Sequence, residues 1–124
     1  MELDYDYIIC GGGIAGLLLA SKFSNDSYYN NKSILILDPD YPKVKNDRTL
    51  CFWDKKKSVW DYLLTSSWEN VIFKNGLDEK SLNLNPLNYK MLSSISFYNY
   101  TNSIIKNNTN IKVLNDKVLN FKDC

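Results

Sequence analysis

The sequence contains no histidine, and its three cysteines, Cys10, Cys51 and Cys124, stand far apart without C-x-x-C spacing. A zinc centre and a histidine-based catalytic triad are thereby excluded within this chain, and no metal site is expected. An excess of one charge is also missing: 15 basic residues against 14 acidic ones leave a formal net charge of +1. No global field steers the protein toward nucleic acid or an anionic membrane. No apolar run reaches the roughly 18 residues of a membrane span. Residues 7–20 are mostly apolar, but Glu2, Asp4 and Asp6 place acid where a secretory signal carries base. A reducing, cytoplasmic location is therefore expected, with membrane contact at most peripheral.

What is present is concentrated at the start. Tyr7-Ile8-Ile9-Cys10 is a short apolar run of the kind that forms a strand buried on both faces, and Cys10 reads as a small buried thiol within it. Gly11, Gly13 and Gly16 then fit G-x-G-x-x-G, and a helix opening near Gly13 is predicted from Ile14, Leu17, Leu18 and Ser21, with Ala15, Ala20 and Phe23 continuing it. A polar loop, Ser24 to Lys32, leads to a second strand, Ser33 to Leu37, closed by Asp38. Asp38 lies 22 positions after Gly16, close to the interval of about 20 residues at which a dinucleotide-binding βαβ unit sets a carboxylate on a ribose hydroxyl. Gly11 would make the tight turn, Gly13 would let a pyrophosphate approach the backbone, and Gly16 would let helix and sheet pack closely. The helix N-terminus, at Ile14 and Ala15, offers its N–H groups and dipole to the phosphates. The competing reading is a glycine turn in an unrelated α/β domain, which requires no acid after the second strand.

Beyond Asp38 the pattern changes. Pro39 to Lys57 reads as a long charged loop. Within it Asn46-Asp47-Arg48-Thr49-Leu50-Cys51-Phe52-Trp53-Asp54 runs from charge into aromatics. Arg48 has the chemistry to hold a phosphate or carboxylate bidentately, and Phe52 with Trp53 to wall an apolar substrate or flat ring; a surface arginine beside two core aromatics accounts for the composition equally well. Lys43, Lys45, Arg48, Phe52, Trp53 and Trp60 interleave base and aromatic as a single-strand nucleic-acid surface does. The balanced net charge argues against that, and no nucleic-acid partner is expected. A short helix is predicted over Ser58 to Leu64, a strand over Trp68 to Phe73, a turn at Asn75-Gly76, a return strand at Ser81 to Leu84, and a strand or extended lead-in at Tyr89 to Leu92. A helix from about Ser94 to Lys106 would share Phe97, Tyr98, Thr101, Ile104 and Ile105 on one face. Ile111 to Leu114 is the next parallel strand, and Val118 to Phe121 starts another. The fold class expected is α/β, a Rossmann-like FAD/NAD(P)-binding fold whose parallel sheet carries an inserted small β element at about 40–92. At 124 residues the chain is small for an enzyme holding a dinucleotide and a substrate, and it reads as an incomplete dinucleotide-binding domain.

The segments YDYIICGGGIAGLLLA, ILILD, NDRTLCFWD and YKMLSSISFYNY together resemble the amino-terminal part of the lycopene cyclase family, over nearly all of residues 5–121. The glycine motif is shared by many flavoproteins, whereas D-R-T-x-C-F-W followed by an acid is far more specific. Here Leu50 stands where the family often has tryptophan, and Asp54 where it often has glutamate. The resemblance implies an FAD-dependent enzyme that cyclises the ψ-ends of lycopene to β-ionone rings, net redox-neutral, with reduced flavin stabilising positive charge and NAD(P)H as electron source. It also implies a hydrophobic carotenoid substrate. By position Gly11, Gly13 and Gly16, with Ile14 and Ala15 between them, match the phosphate-binding loop. Asp38 matches the ribose-binding acid, Arg48 an arginine near the flavin, and Val118 a backbone contact to adenine.

No residue is identified as the catalytic acid. Asp47 and Asp54 are candidates by composition only, and the family's acidic proton-transfer motif lies further along than residue 124. The chain by itself is expected to be inactive. Another FAD or nicotinamide oxidoreductase sharing the βαβ unit, and a non-catalytic nucleotide-binding fragment, are the alternatives.

Overall fold

A computed structural model describes residues 4–43 and 48–122. In chain order the elements are β1 (Tyr7–Cys10), α1 (Ile14–Ser24), β2 (Ile34–Leu37), β3 (Thr49–Lys55), β4 (Leu64–Trp68), β5 (Asn70–Asn75), β6 (Asp78–Asn83), β7 (Leu87–Ser93), α2 (Ser94–Lys106) and β8 (Ile111–Leu114). The protein mixes helix and strand, with one parallel and two antiparallel sheets, and is richer in strand than the sequence pattern predicts. It divides into two compact units, Met1–Asn46 with Tyr98–Cys124, and Asp47–Phe97. Lys45, Asp47 and Cys124, singled out above, lie outside the described residues.

The first unit holds a parallel sheet in the order β1-β2-β8, with Tyr7 beside Ile34 and Ile34 beside Ile111. Parallel neighbours require a crossover, and α1 supplies the one between β1 and β2. Ile34, Leu35 and Ile36 are buried, as expected of the central strand of such a sheet. The apolar side chains of α1 pack inward through Leu17 and Ala20, and Tyr7, Phe23 and Tyr29 form a ring cluster with centroids 4.1–5.5 Å apart. At the lower end Asp6 accepts hydrogen bonds from the N–H and hydroxyl of Ser33, at 2.7 and 3.0 Å, fastening the entries of β1 and β2 together. In the part of α2 that belongs to this unit, Thr101 and Ile105 are buried four residues apart, on one helical stripe.

β1 is not buried on both faces. Ile8 is 54 % exposed and Cys10 is exposed, while Ile9 is buried against the α1 side. Side chains alternate along a strand, so an edge strand with one covered face leaves every second residue open. The expected strand at Val118 to Phe121 does not form, and Leu119 and Phe121 are exposed. An apolar run becomes a strand only where a neighbouring strand offers it a ladder.

The second unit is all antiparallel apart from its helical turns. β7 is the middle strand of β3-β7-β4, with Cys51 opposite Met91, Trp53 opposite Tyr89 and Trp68 also opposite Tyr89. The predicted loop over Pro39 to Lys57 thus contains a strand: Thr49–Lys55 pairs with Leu87–Ser93, 32 to 44 residues further along and beyond the reach of a local pattern. The predicted helix at Ser58 to Leu64 is only a 3-10 turn, Asp61–Leu63, before Leu64 enters β4. Pairing of β4 with β7 wins over a helix too short to sustain itself. β5 and β6 form a hairpin by themselves, with Asn75 paired to Asp78 around Gly76-Leu77. The turn sits one residue later than Asn75-Gly76, and Gly76 takes it at φ +61°, a conformation for which glycine carries no steric penalty.

Candidate functional site

The loop from β1 to α1 meets the end of β2 at Asp38. Gly11 leaves β1 with φ +105°, and its N–H donates to the Leu37 carbonyl at 2.8 Å, so the turn stays fastened to the sheet. A side chain at Gly16 would collide with the backbone: its Cβ would stand 2.0 Å from the Gly11 carbonyl oxygen and 3.1 Å from Ile9. Glycine is required there for the helix to lie against the loop. At Gly11 and Gly13 the opposite holds, with no atom within 4 Å of an added Cβ. The loop is therefore tight where helix meets sheet and open where it faces outward.

The N–H groups of Ile14, Ala15 and Gly16 precede the first intrahelical bond, from Leu17 N–H to the Gly13 carbonyl at 2.9 Å. No side chain caps this end, and no acid lies in the first turn. Such an end carries donors and partial positive charge suited to an anion. Asp38 supplies the facing carboxylate. It is 5 % exposed, and its Oδ2 accepts the Gly12 N–H at 2.7 Å while its Oδ1 accepts the Asp40 N–H at 2.8 Å and the Lys43 ammonium at 3.0 Å. Burial by itself would raise the Asp38 pKa, but the bonds from Asp40, Lys43 and Gly12 outweigh it and hold the group below the usual carboxylate range. Asp38 is an anion at neutral pH that has exchanged water for two backbone N–H groups and one ammonium.

Gly11, Gly13, Ile14, Ala15, Gly16 and Asp38 thus converge on one loop. Two participants escaped the sequence reading: Gly12, whose N–H binds Asp38 and whose added Cβ would come within 3.1 Å of the Asp38 Cβ, and Lys43, seen there only as part of a basic run. A fourth glycine, inside the motif, and a lysine five residues past the acid were the available signals. Val118 belongs to the same unit and lies after β8 in an irregular segment, partly exposed. Arg48 belongs to the other unit, at the entry to β3; its N–H donates to the Ser94 hydroxyl and its carbonyl accepts the Ser94 N–H, both at 2.7 Å, and its side chain is exposed.

The carboxylates of the second unit serve a different centre. Lys90, on β7, is fully buried, and its ammonium donates to Asp61 at 2.7 Å, to the Lys55 carbonyl at 2.5 Å and to the Ser58 hydroxyl at 3.2 Å, with Asp54 at 3.8 Å. Asp54 is held below the usual range by the Ser58 hydroxyl first and by Lys90, and Asp61 by the Lys90 hydrogen bond first. Asp54, a candidate acid by composition, is a counter-charge in this cluster. Among the described residues no group of three or more histidine, cysteine or acidic side chains is placed to hold a metal ion, and no helix is long and apolar enough to cross a membrane.

No curated protein matches the chain in sequence. A protein-family model does, described as lycopene cyclase protein, over residues 6–123. That span takes in the glycine loop, Asp38, the β3 segment TLCFWD and α2 together. The chain belongs to the lycopene cyclase family.

Proposed function

We propose that β1, α1 and β2 form the phosphate- and ribose-binding part of a Rossmann-like FAD site, and that the chain is the FAD-binding portion of an enzyme cyclising lycopene ends to β-ionone rings in carotenoid biosynthesis. The observation that carries the cofactor half is the buried Asp38 carboxylate bonded to the Gly12 N–H, beside an uncapped helix end and two glycines with open space. Family membership carries the reaction half.

The residues present fit the group. Open space at Gly11 and Gly13 is where a pyrophosphate would approach the backbone, and the N–H groups of Ile14, Ala15 and Gly16 would neutralise it. A carboxylate offers about four acceptor positions, and Asp38 uses three of them, so one remains for a ribose hydroxyl unless Lys43 is displaced. Val118 and Arg48 join the proposal through the resemblance, as backbone contact to adenine and as an arginine near the flavin. When bound, reduced FAD supplies an electron-rich ring able to stabilise positive charge in a net redox-neutral reaction, with NAD(P)H as the source of reducing equivalents. A proton donor must be protonated at working pH. Asp38, Asp54 and Asp61 are all held below the usual range, which favours the anion at each and disfavours these three as the proton donor. By the same reading the chain alone should form no rings. The substrate is a hydrophobic carotenoid, met at a peripheral membrane contact.

Titration of the purified chain with FAD tests the cofactor half, and Gly13→Trp and Asp38→Ala should each weaken binding at least about tenfold. Binding indifferent to Gly13→Trp would reject the phosphate-loop assignment. Lycopene-producing cells expressing only these 124 residues should accumulate no β-carotene.

A further inference from the structure

The carboxylate of Asp38 is crowded on one side. Its Oδ2 accepts a single N–H, from Gly12, whereas its Oδ1 accepts both the Asp40 N–H at 2.8 Å and the Lys43 ammonium at 3.0 Å. A carboxylate offers about four acceptor positions, two on each oxygen. The one left open is on Oδ2. The 2′ and 3′ hydroxyls of a ribose stand side by side, so a carboxylate that holds the whole diol gives one position on each oxygen. Oδ1 has none to give until one of its two donors leaves.

Those two donors differ in their freedom to leave. The Asp40 N–H belongs to the main chain of a turn held on both sides: the Tyr41 N–H meets the Asp38 carbonyl at 3.5 Å, and Asn115, just past β8, donates its side-chain amide to the Tyr41 carbonyl. The Gly12 N–H on the other oxygen follows a turn fastened by the bond from Gly11 to Leu37. Among the described donors to Asp38, Lys43 alone reaches it through a side chain. Its flexible four-carbon stem lets the ammonium withdraw while the backbone stays in place. That side chain is 22 % exposed, so water is at hand to receive the charge, against 7 % for Asp38. All of these groups belong to one compact unit.

The ammonium also stabilises what it blocks. A buried carboxylate facing neutral donors alone lacks a counter-ion, and Lys43 supplies one. We infer that Lys43 is a latch on the ribose subsite: its ammonium and one hydroxyl of a ribose 2′,3′-diol compete for Asp38 Oδ1, and a nucleotide binds in full only when Lys43 swings out. This rests on the nucleotide-site reading proposed above and adds a competitor to it, which lowers apparent affinity by the fraction of chains whose latch is closed. A lysine near an anionic ligand ordinarily strengthens binding through its charge. The latch has the opposite sign, and that separates the two roles.

The test is titration of the full purified chain with FAD, ADP and 2′-deoxy-ADP. Lys43→Met, which keeps the stem and removes the donor, should bind FAD and ADP at least about fivefold more tightly than the native chain. Its affinity for 2′-deoxy-ADP, whose one remaining hydroxyl can use Oδ2, should stay within about twofold of native. Without nucleotide the same variant should unfold at a lower temperature, since Asp38 loses its counter-ion. Lys43→Gln, a neutral donor, should fall between the two and gives the same reading if methionine disturbs the turn. In an Asp38→Ala background Lys43→Met should bring no gain, because no carboxylate is left to free. Unchanged FAD and ADP affinity in both Lys43 variants overturns the latch. Weaker binding overturns it in favour of Lys43 as a phosphate contact, and an equal gain for ADP and 2′-deoxy-ADP overturns the competition for the diol. FAD binding that depends on Gly13 and not on Lys43 sinks the latch alone, whereas tighter ADP binding in Lys43→Met with no FAD bound by any variant sinks the flavin assignment alone. Absence of binding of either nucleotide to the native chain and to Lys43→Met overturns both.

Discussion

Glycine positions 13 and 16 look equivalent in the motif and are physically opposite. At Gly16 a methyl group would meet the Gly11 carbonyl at 2.0 Å, so Gly16→Ala should destabilise the chain by about 3 kcal/mol in urea unfolding. At Gly13, with φ −76° and nothing near, Gly13→Ala should change stability by less than about 0.5 kcal/mol and be felt only in FAD affinity. Asp38 carries a pH signature. Its folded pKa lies below the unfolded value, so its contribution is full above the unfolded pKa and is lost as pH falls through the folded one. Unfolding midpoints measured between pH 7 and pH 2 should therefore fall on the acid side, and Asp38→Asn should flatten that fall. At neutral pH the same substitution weakens the acceptor for the Gly12 and Asp40 N–H groups and should cost about 1–3 kcal/mol.

The elements differ in how far local sequence governs them. β1, α1, β2, α2 and β8 each stand within a residue or two of their predicted places because each carries its own period and its own stop signals. β3 and β4 do not, since they depend on β7 for every ladder bond. Lys90 shows what that dependence costs and gains. Its ammonium closes the ends of β3 and the turn into β4, so Lys90→Met should destabilise the chain by about 1–3 kcal/mol, the scale for losing charged hydrogen bonds and leaving the Lys55 carbonyl unpaired, while Asp61 and Asp54 stay partly open to water. Nuclear magnetic resonance titration of the same variant should show Asp61 and Asp54 moving up toward ordinary carboxylate values, because Lys90 lowers both. An unchanged Asp61 titration would refute the cluster.

At the scale of the whole molecule the charge balance decides more than any one cation. With 15 basic and 14 acidic residues, vesicle association of this chain should be insensitive to anionic lipid content in co-sedimentation, and apolar surface should set what binding there is. Sequence alone determined the glycine loop, the acid that follows the second strand, the helix before the last strand and the family, because these are carried by residues close together in the chain or by an uncommon string such as DRTLCFWD. Only the tertiary structure decided that Cys10 is exposed, that Asp38 is shared among Gly12, Asp40 and Lys43, and that Asp54 answers a buried lysine. It alone set Trp53, Tyr89 and Trp68 in one row. Burial and cross-strand neighbours in the β3-β7-β4 sheet are properties of chain segments brought together from 21 to 44 residues apart, and a one-residue change of register would have turned Asp54, Trp53, Tyr89 and Trp68 to the other face.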